Sequence, residues 1–140
     1  MKKIVLILLF ICSKIVLISA QEKETFMLTV NISGLESNEG TLMVGIYNNK
    51  SDFLKTQLKG AIVKIKNKKS VVIFKNLTLG EYAISFIHDE NNNNKIDTNI
   101  FGIPKEDYGC SNNAKSFIGP PKYDDAKFIL TENKTIEIHI

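Results

Sequence analysis

Apolar and polar residues alternate with a period of two over most of the sequence after residue 24. The first run places Phe26, Leu28, Val30 and Ile32 on one side of an extended chain. Because successive side chains of a strand point to opposite faces, this pattern predicts strands with one buried face. A helical spacing occurs only within 51–58, where Ser51 could cap one or two turns. Parallel βαβ units are therefore excluded.

Seven segments share the alternating pattern, and turn residues separate them. We expect strands at 26–32, 42–47, 61–66, 71–74, 82–88, 126–130 and 136–140. Asn67-Lys68-Lys69 predicts a hairpin between the third and fourth strands. Short strands with a turn roughly every 8 to 12 residues are typical of a sandwich. The predicted fold class is all-β: a seven-stranded antiparallel β-sandwich of immunoglobulin or transthyretin type, with one short helix and a long polar loop at 89–124.

The first 20 residues have the pattern of a secretory signal peptide. Two lysines follow Met1, an apolar stretch comes next, and Ser19-Ala20 precedes Gln21. Lys14 interrupts the apolar stretch, so neither piece reaches the ~18 residues that a membrane-spanning helix needs. We expect residues 1–20 to be a signal peptide cleaved after Ala20. Residues 21–140 would then be a single domain, exported to the periplasm or the extracellular space, with no membrane insertion after cleavage.

Charge and cysteine content limit the partners of this domain. Removing residues 1–20 takes away three of the 18 basic residues and no acid, which leaves 15 basic against 15 acidic residues. A neutral domain has no global field to attract nucleic acid, so we expect no nucleic-acid partner. One cysteine remains, Cys110, so an internal disulfide is impossible. Cys110 is then either a buried small hydrophobic residue or a free thiol.

The long polar loop begins with oxygen-bearing side chains at the spacing of a calcium-binding loop. Asp89, Asn91, Asn93 and Asp97 occupy relative positions 1, 3, 5 and 9, and Lys95 at position 7 would contribute its backbone carbonyl. Calcium takes roughly 6 to 8 oxygen ligands, and two firm carboxylates predict a weak site. We therefore expect these five residues to bind Ca²⁺, with structural stabilisation rather than catalysis as the consequence.

The rest of this loop departs from an EF-hand. Position 12 is Ile100 where an EF-hand has a bidentate Glu, and Asn94 stands at position 6, which needs a positive φ. Ile96 would anchor the loop in the core. Further ligands could come from Asp107, Glu106, Asn99 or water. The alternative is an Asn-rich loop held only by hydrogen bonds from its side chains to its own backbone.

Residue types of a hydrolytic triad also occur, at His88, Asp89 and Ser111. Ser111 lacks the G-x-S-x-G elbow, and adjacent residues of a strand point to opposite faces. Asp89 would therefore orient His88 poorly. We expect no enzymatic activity.

A succession of motifs resembles one bacterial family over nearly the whole domain, from Thr25 to Ile140. The stretches that carry the likeness are Gly40–Tyr47, Leu79–Ile84, His88–Asp97, Gly102–Asn113 and Gly119–Tyr123. They resemble the bacterial domain-of-unknown-function family 2141. The resemblance implies an exported bacterial protein and no particular activity. The Gly-Glu-Tyr stretch and the acidic loop also look like transthyretin-like and collagen-adhesin B-type modules, which is a likeness of fold alone.

Three functions remain open at this point. The first is a non-catalytic binding or accessory module, which would use the 89–124 loop to recognise a protein, peptide or glycan ligand. The second is a purely structural envelope protein. The third, which we favour least, is a hydrolase that uses His88 with Asp89, Glu106 or Asp107. The sequence leaves the oligomeric state open.

Overall fold

The computed structural model describes residues 23–140; the predicted signal peptide and its cleavage site lie outside this range. Most of the described chain forms strands. They are β1 (Thr25–Ser33), β2 (Thr41–Tyr47), β3 (Lys59–Lys64), β4 (Lys69–Thr78), β5 (Gly80–Asp89), β6 (Tyr108–Cys110), β7 (Phe128–Leu130) and β8 (Lys134–His139). A 3₁₀ turn at Ser111–Asn113 and one short helix, α1 (Tyr123–Ala126), separate β6 from β7. Within 23–140, neither is long or apolar enough to cross a membrane.

The strands form two sheets whose inner faces share one core. One sheet has the order β4-β1-β8, and the other has the order β3-β2-β5-β6 with β7 also paired to β5. Alternate residues of β1, β2, β4 and β5 are buried in a single cluster, as the period-two pattern predicts. The all-β class is therefore confirmed.

The strand count and the strand directions differ from the prediction. The described residues contain eight strands rather than seven, because β6 lies inside the segment predicted as loop. The first sheet is mixed, since β1 and β8 run parallel while the other pairs are antiparallel. The immunoglobulin or transthyretin type stays a prediction.

The predicted hairpin between β3 and β4 is wrong, although its turn is correct. Asn67 and Lys68 both have positive φ, 54° and 57°, and the backbones of Lys66 and Lys69 bond to each other across them. Beyond this single bridge the strands separate. Strand β3 pairs with β2 and β4 pairs with β1, so the turn carries the chain from one sheet to the other.

The one or two helical turns predicted within 51–58 are reduced to a single turn that does not continue as a helix. One hydrogen-bonded turn forms there, with the N–H groups of Lys55 and Thr56 donating to the carbonyl of Asp52. Leu54 takes a φ of 60°, which ends any helix. Phe53 is buried while Leu54 and Leu58 are exposed, so the segment has no apolar stripe to bury. The short helix of this fold is α1, at residues predicted as loop and strand.

Strand β5 organises the part of the molecule that carries the loop. One edge of β5 pairs with β2 from Ala83 to Asp89. The other edge pairs with β7 near its start and with β6 near its end. Between these two pairings a gap remains at Ile84, and the chain between β6 and β7 covers it. The long segment is thus attached to the five-stranded sheet in its middle as well as at its ends.

Candidate functional site

The candidate site begins where β5 ends, at two completely buried polar residues. His88 and Asp89 are both fully enclosed. The Asp89 carboxylate accepts hydrogen bonds from the backbone N–H groups of Asn93 at 3.1 Å and Asn94 at 2.8 Å. Asn94 has a φ of 60°, as the sequence predicts for position 6. A buried carboxylate therefore folds the first turn of the loop around itself.

Three of the predicted ligand side chains meet at the opposite end of this turn. The Asp97 carboxylate accepts hydrogen bonds from the side-chain amides of Asn91, at 2.5 Å, and of Asn93, at 3.0 and 3.1 Å. Each Asn oxygen in turn accepts a backbone N–H two residues later: Asn93 donates to Asn91, and Lys95 donates to Asn93. These side-chain-to-backbone bonds shape the turn from Asn91 to Lys95.

Glu106 closes the loop from outside it. Its carboxylate accepts the backbone N–H of Glu90 at 3.3 Å and that of Asp97 at 3.0 Å, and the residue is buried. The two ends of the 89–97 turn are thereby held by one side chain. The sequence suggested Glu106 only as one of several additional ligands, because no spacing rule connects it to a loop that ends nine residues earlier.

The metal prediction depends on this geometry. Asp89, Asn91, Asn93 and Asp97 surround one turn, and every side-chain donor atom they could offer a cation is an oxygen. The Lys95 side chain ends in an ammonium with no lone pair, so only its backbone carbonyl could contribute. Within residues 23–140, no group of three or more His, Cys, Asp or Glu side chains has the arrangement of a metal site. Calcium binding stays a prediction that would depend on Asn and backbone oxygens.

Ile96 does not anchor this loop, contrary to expectation. Its side chain is 38% exposed. The loop is attached instead by buried carboxylates and by Gly40, which packs against it from the β1–β2 connection. Gly40 has a φ of 69°, and a Cβ there would lie only 2.0 Å from the carbonyl oxygen of Asp89. The sequence alone could not show this contact.

The triad residues are not assembled for catalysis. Ser111 is fully buried; its hydroxyl accepts the N–H of Ile84 at 2.9 Å and donates to the carbonyl of Ala126 at 2.5 Å. Ile84 lies four residues before His88 on β5, roughly 13 Å along the strand. Ser111 and His88 are therefore separated, and the Ser111 hydroxyl fills the gap in the hydrogen bonding of β5.

His88 makes contacts of a structural kind. Its Nε2 lies 2.8 Å from the carbonyl oxygen of Glu39. Its Nδ1 lies 3.9 Å from a carboxylate oxygen of Glu90 and 4.0 Å from one of Asp107, too far for a hydrogen bond to either. The ring is fully buried, so it would need to be uncovered before it could contact a substrate.

A cleft lies between residues 104–116 of the long segment and the end of β8. Its volume is about 370 Å³. Tyr108 is 40% exposed in its wall, whereas the other three tyrosines of the chain are buried. Polar residues and charged residues of both signs line the same cleft, among them Lys105, Glu106, Asp107, Asn113, Lys115 and His139.

Asn112, the neighbour of that cleft in sequence, has a structural role instead. Its side-chain amide donates to the carbonyls of Asp125 at 3.1 Å and Lys127 at 2.9 Å. Its backbone is left-handed, with a φ of 59°. Asn112 therefore ties the 3₁₀ turn to the end of α1.

Cys110 is the buried small hydrophobic residue of the two options that the sequence left open. It packs with Tyr47, Phe53, Ala83 and Tyr123 in a second cluster, on the outer face of the five-stranded sheet. Burial raises the pKa of its thiol to about 11, which disfavours the reactive thiolate.

Comparison with known proteins places the chain in one family. The model of domain-of-unknown-function family 2141, described as an uncharacterised protein conserved in bacteria, matches residues 30–138. The chain therefore belongs to this family, and the predicted resemblance is confirmed. No curated protein and no solved structure matches the chain.

Proposed function

We propose that this member of the bacterial family is an exported, non-catalytic binding module whose ligand site is the cleft at Tyr108. The observation that carries the proposal is the exposure of this one tyrosine in a concave surface, when the three others are buried. An aromatic ring in a cleft with a few convergent polar groups is the usual composition of a ligand site. The buried carboxylate of Glu106, a residue of the cleft wall, is bonded to the neighbouring 89–97 loop and so holds this wall in place.

The lining chemistry favours a peptide or a glycan. The tyrosine ring offers an apolar face on which a sugar ring or a side chain can stack, and its hydroxyl offers a hydrogen bond. Lys105 and Lys115 supply cationic donors and Asn113 supplies a side-chain amide. A volume of about 370 Å³ accommodates a disaccharide or two to three peptide residues rather than a folded domain.

Array binding tests this site. Residues 21–140, which contain both sheets and the whole described core, would be labelled and applied to glycan and peptide arrays. Tyr108→Ala should lower the captured signal at least about tenfold, because it removes the aromatic contact. The matched control is Val71→Ala, which should bind like wild type. Val71 is an exposed apolar residue on β4 and does not line the cleft.

Thermal melts of both variants would establish that they are folded. Equal capture by wild type and Tyr108→Ala would refute the cleft as the site. Wild-type protein that captures nothing on either array would refute the binding function and favour the structural envelope protein.

We also propose that the 89–97 loop binds Ca²⁺ weakly and is stabilised by it. Support comes from the oxygen donors of Asp89, Asn91, Asn93 and Asp97 around a single turn, with Asn94 in the required left-handed conformation. Extracellular sites with so few carboxylates have a Kd of about 10⁻⁴ to 10⁻³ M. The ion would replace amide hydrogen bonds to Asp97 with stronger charge–charge contacts.

A thermal melt with calcium and then with chelator tests the cation site. At 10 mM Ca²⁺ this affinity range stabilises the fold by about 1.4 to 2.7 kcal/mol, which raises the Tm by about 5 °C or more. Asp97→Asn should abolish this response while keeping the size of the side chain. Asp125→Asn, an exposed acid on α1, is the control. An unchanged calcium response in Asp97→Asn would refute the site.

A further inference from the structure

Two short turns of the long segment expose large apolar side chains almost completely. The first tip, residues 99–104, carries Ile100 and Phe101, which are 93% and 80% exposed. The second tip, residues 116–121, carries Phe117 and Ile118, which are 102% and 84% exposed. Scattered surface hydrophobic residues are ordinary, but four of them in two pairs at loop tips indicate an interaction surface.

Both tips stand clear of the sandwich. Each turns at a glycine with positive φ, Gly102 at 75° and Gly119 at 78°. A Cβ built on either glycine meets no other atom within 4 Å. Hydrogen bonds hold the first tip in shape, because the side-chain oxygen of Asn99 accepts the N–H groups of Phe101 and Ile103. The apolar side chains are therefore presented outward on formed turns.

The bases of the two tips face each other across the cleft. Pro104 and Lys105, at the end of the first tip, line the same cavity as Lys115 and Ser116, at the start of the second. The two tips thus start from the walls of the same cleft. One extended surface could therefore contact both.

The exposed charges from residue 98 to residue 122 have one sign. The next exposed acids, Asp124 and Asp125, lie on α1, where Asp124 pairs with Lys50 and Lys127. Every exposed charged side chain between residues 98 and 122 is a lysine, namely Lys105, Lys115 and Lys122. The acids of this stretch are withdrawn from the surface: Glu106 is buried under the 89–97 loop and Asp107 is partly buried. The partner of this surface is therefore apolar and anionic.

We propose that the two tips dock the protein on an anionic lipid bilayer. Ile100, Phe101, Phe117 and Ile118 enter the boundary between headgroups and acyl chains, and the three lysines contact lipid phosphates. Apolar residues beside lysines have this effect at membrane surfaces. The docking is peripheral, since no tip is long enough to cross a bilayer. The earlier expectation of no membrane insertion then holds only in the sense that no segment spans the bilayer.

A lipid surface fits these tips better than a protein surface does. Protein contacts gain most of their energy from side chains in well-packed, desolvated centres surrounded by a rim of weaker contacts. The two tips are separate projections with a cleft between them, and a fluid bilayer can surround each one. A second copy of the chain would bring the same lysines together, which opposes self-association.

Vesicle co-sedimentation tests the proposal. Wild-type protein should pellet with vesicles of equal parts phosphatidylglycerol and phosphatidylcholine, and much less with phosphatidylcholine alone. The pair Phe101→Ser and Phe117→Ser should lower partitioning at least about tenfold. The matched control is the pair Val71→Ser and Ile73→Ser, two half-exposed apolar residues on β4, which should pellet like wild type. Lys105→Gln with Lys115→Gln should weaken the binding and its dependence on salt.

Fluorescence gives a second readout that does not depend on pelleting. The chain has no tryptophan, so Phe101→Trp introduces a single tryptophan whose emission can be excited selectively. Its emission should shift to the blue with phosphatidylglycerol vesicles, while that of Ile73→Trp should not.

Lipid docking would be overturned if wild-type protein stayed in the supernatant, or if the tip pair and the control pair pelleted equally. It would also be overturned if analytical ultracentrifugation showed dimers of wild type that disappear in the Phe101→Ser and Phe117→Ser pair. Tyr108→Ala should still pellet, so failure of the ligand cleft and failure of lipid docking are separable.

Discussion

Replacing Ser111 with alanine removes one buried hydroxyl that bonds to both β5 and the end of α1. The hydroxyl accepts the N–H of Ile84 at 2.9 Å and donates to the carbonyl of Ala126 at 2.5 Å. In Ser111→Ala both backbone groups stay buried without a partner. Each such group costs about 1 to 3 kcal/mol. With partial relaxation, we expect the free energy of unfolding to fall by about 3 kcal/mol.

This loss is large for a domain of this size. Domains have a total stability of about 5 to 15 kcal/mol, so the Tm should fall by about 10 °C. Urea denaturation followed by circular dichroism measures the change. Ser51→Ala is the control, because the hydroxyl of Ser51 is exposed and bonds only to neighbouring side chains, and its effect should stay within about 0.5 kcal/mol. A loss below about 1 kcal/mol for Ser111→Ala would refute the assignment of Ser111 as the residue that fills the gap in β5.

The remaining predictions concern three further positions. Gly40→Ala should cost more than about 3 kcal/mol or prevent folding, because its Cβ would lie 2.0 Å from the Asp89 carbonyl oxygen. Gly119→Ala is the control: its φ is similar but the space around it is open, so it should cost about 1 kcal/mol. Equal urea midpoints for the two variants would contradict this difference. Asn112→Ala should cost about 2 kcal/mol in the same assay through its two lost carbonyl contacts, and an unchanged midpoint would disprove the tie to α1. The Cys110 thiol should resist a thiol reagent at about pH 8 until urea unfolds the chain. Burial raises the pKa of the Cys110 thiol from 9.0 to about 11. The contribution of the buried thiol to the free energy of unfolding is therefore complete below pH 9.0 and is lost as the pH rises through about 11. If the difference in unfolding free energy between wild type and Cys110→Ala stayed constant over that range, the shift would be contradicted.

The sequence identified much of the candidate loop and little of what holds it. The oxygen-bearing positions from Asp89 to Asp97 follow from spacing, and the left-handed Asn94 follows from the conformational preference of asparagine. Ile96 was assigned to the core because it is apolar, but the residue is 38% exposed. The residue that does close the loop, Glu106, lies in a different turn, and local spacing carries no information about such a contact.

The cleft could not be inferred from sequence for a related reason. Tyr108 and Asn112 both lie in the 89–124 segment that the sequence predicts as a recognition loop. The structure separates them, because Tyr108 lines a cavity while Asn112 bonds to two backbone carbonyls of the α1 region. Whether a loop side chain is available to a ligand depends on which distant backbone groups remain unsatisfied around it.

The order of side chains along the chain was enough to determine the strands and their buried faces. Leu28, Val30 and Ile32 enter the core together because a strand has a repeat of two, and burial of apolar surface selects one face. Tertiary structure alone decided which strands are neighbours: β3 and β4 diverge into different sheets, and β8 lies parallel to β1. Backbone hydrogen bonds are the same for every residue, so alternation fixes the face of a strand but does not specify its partner or direction.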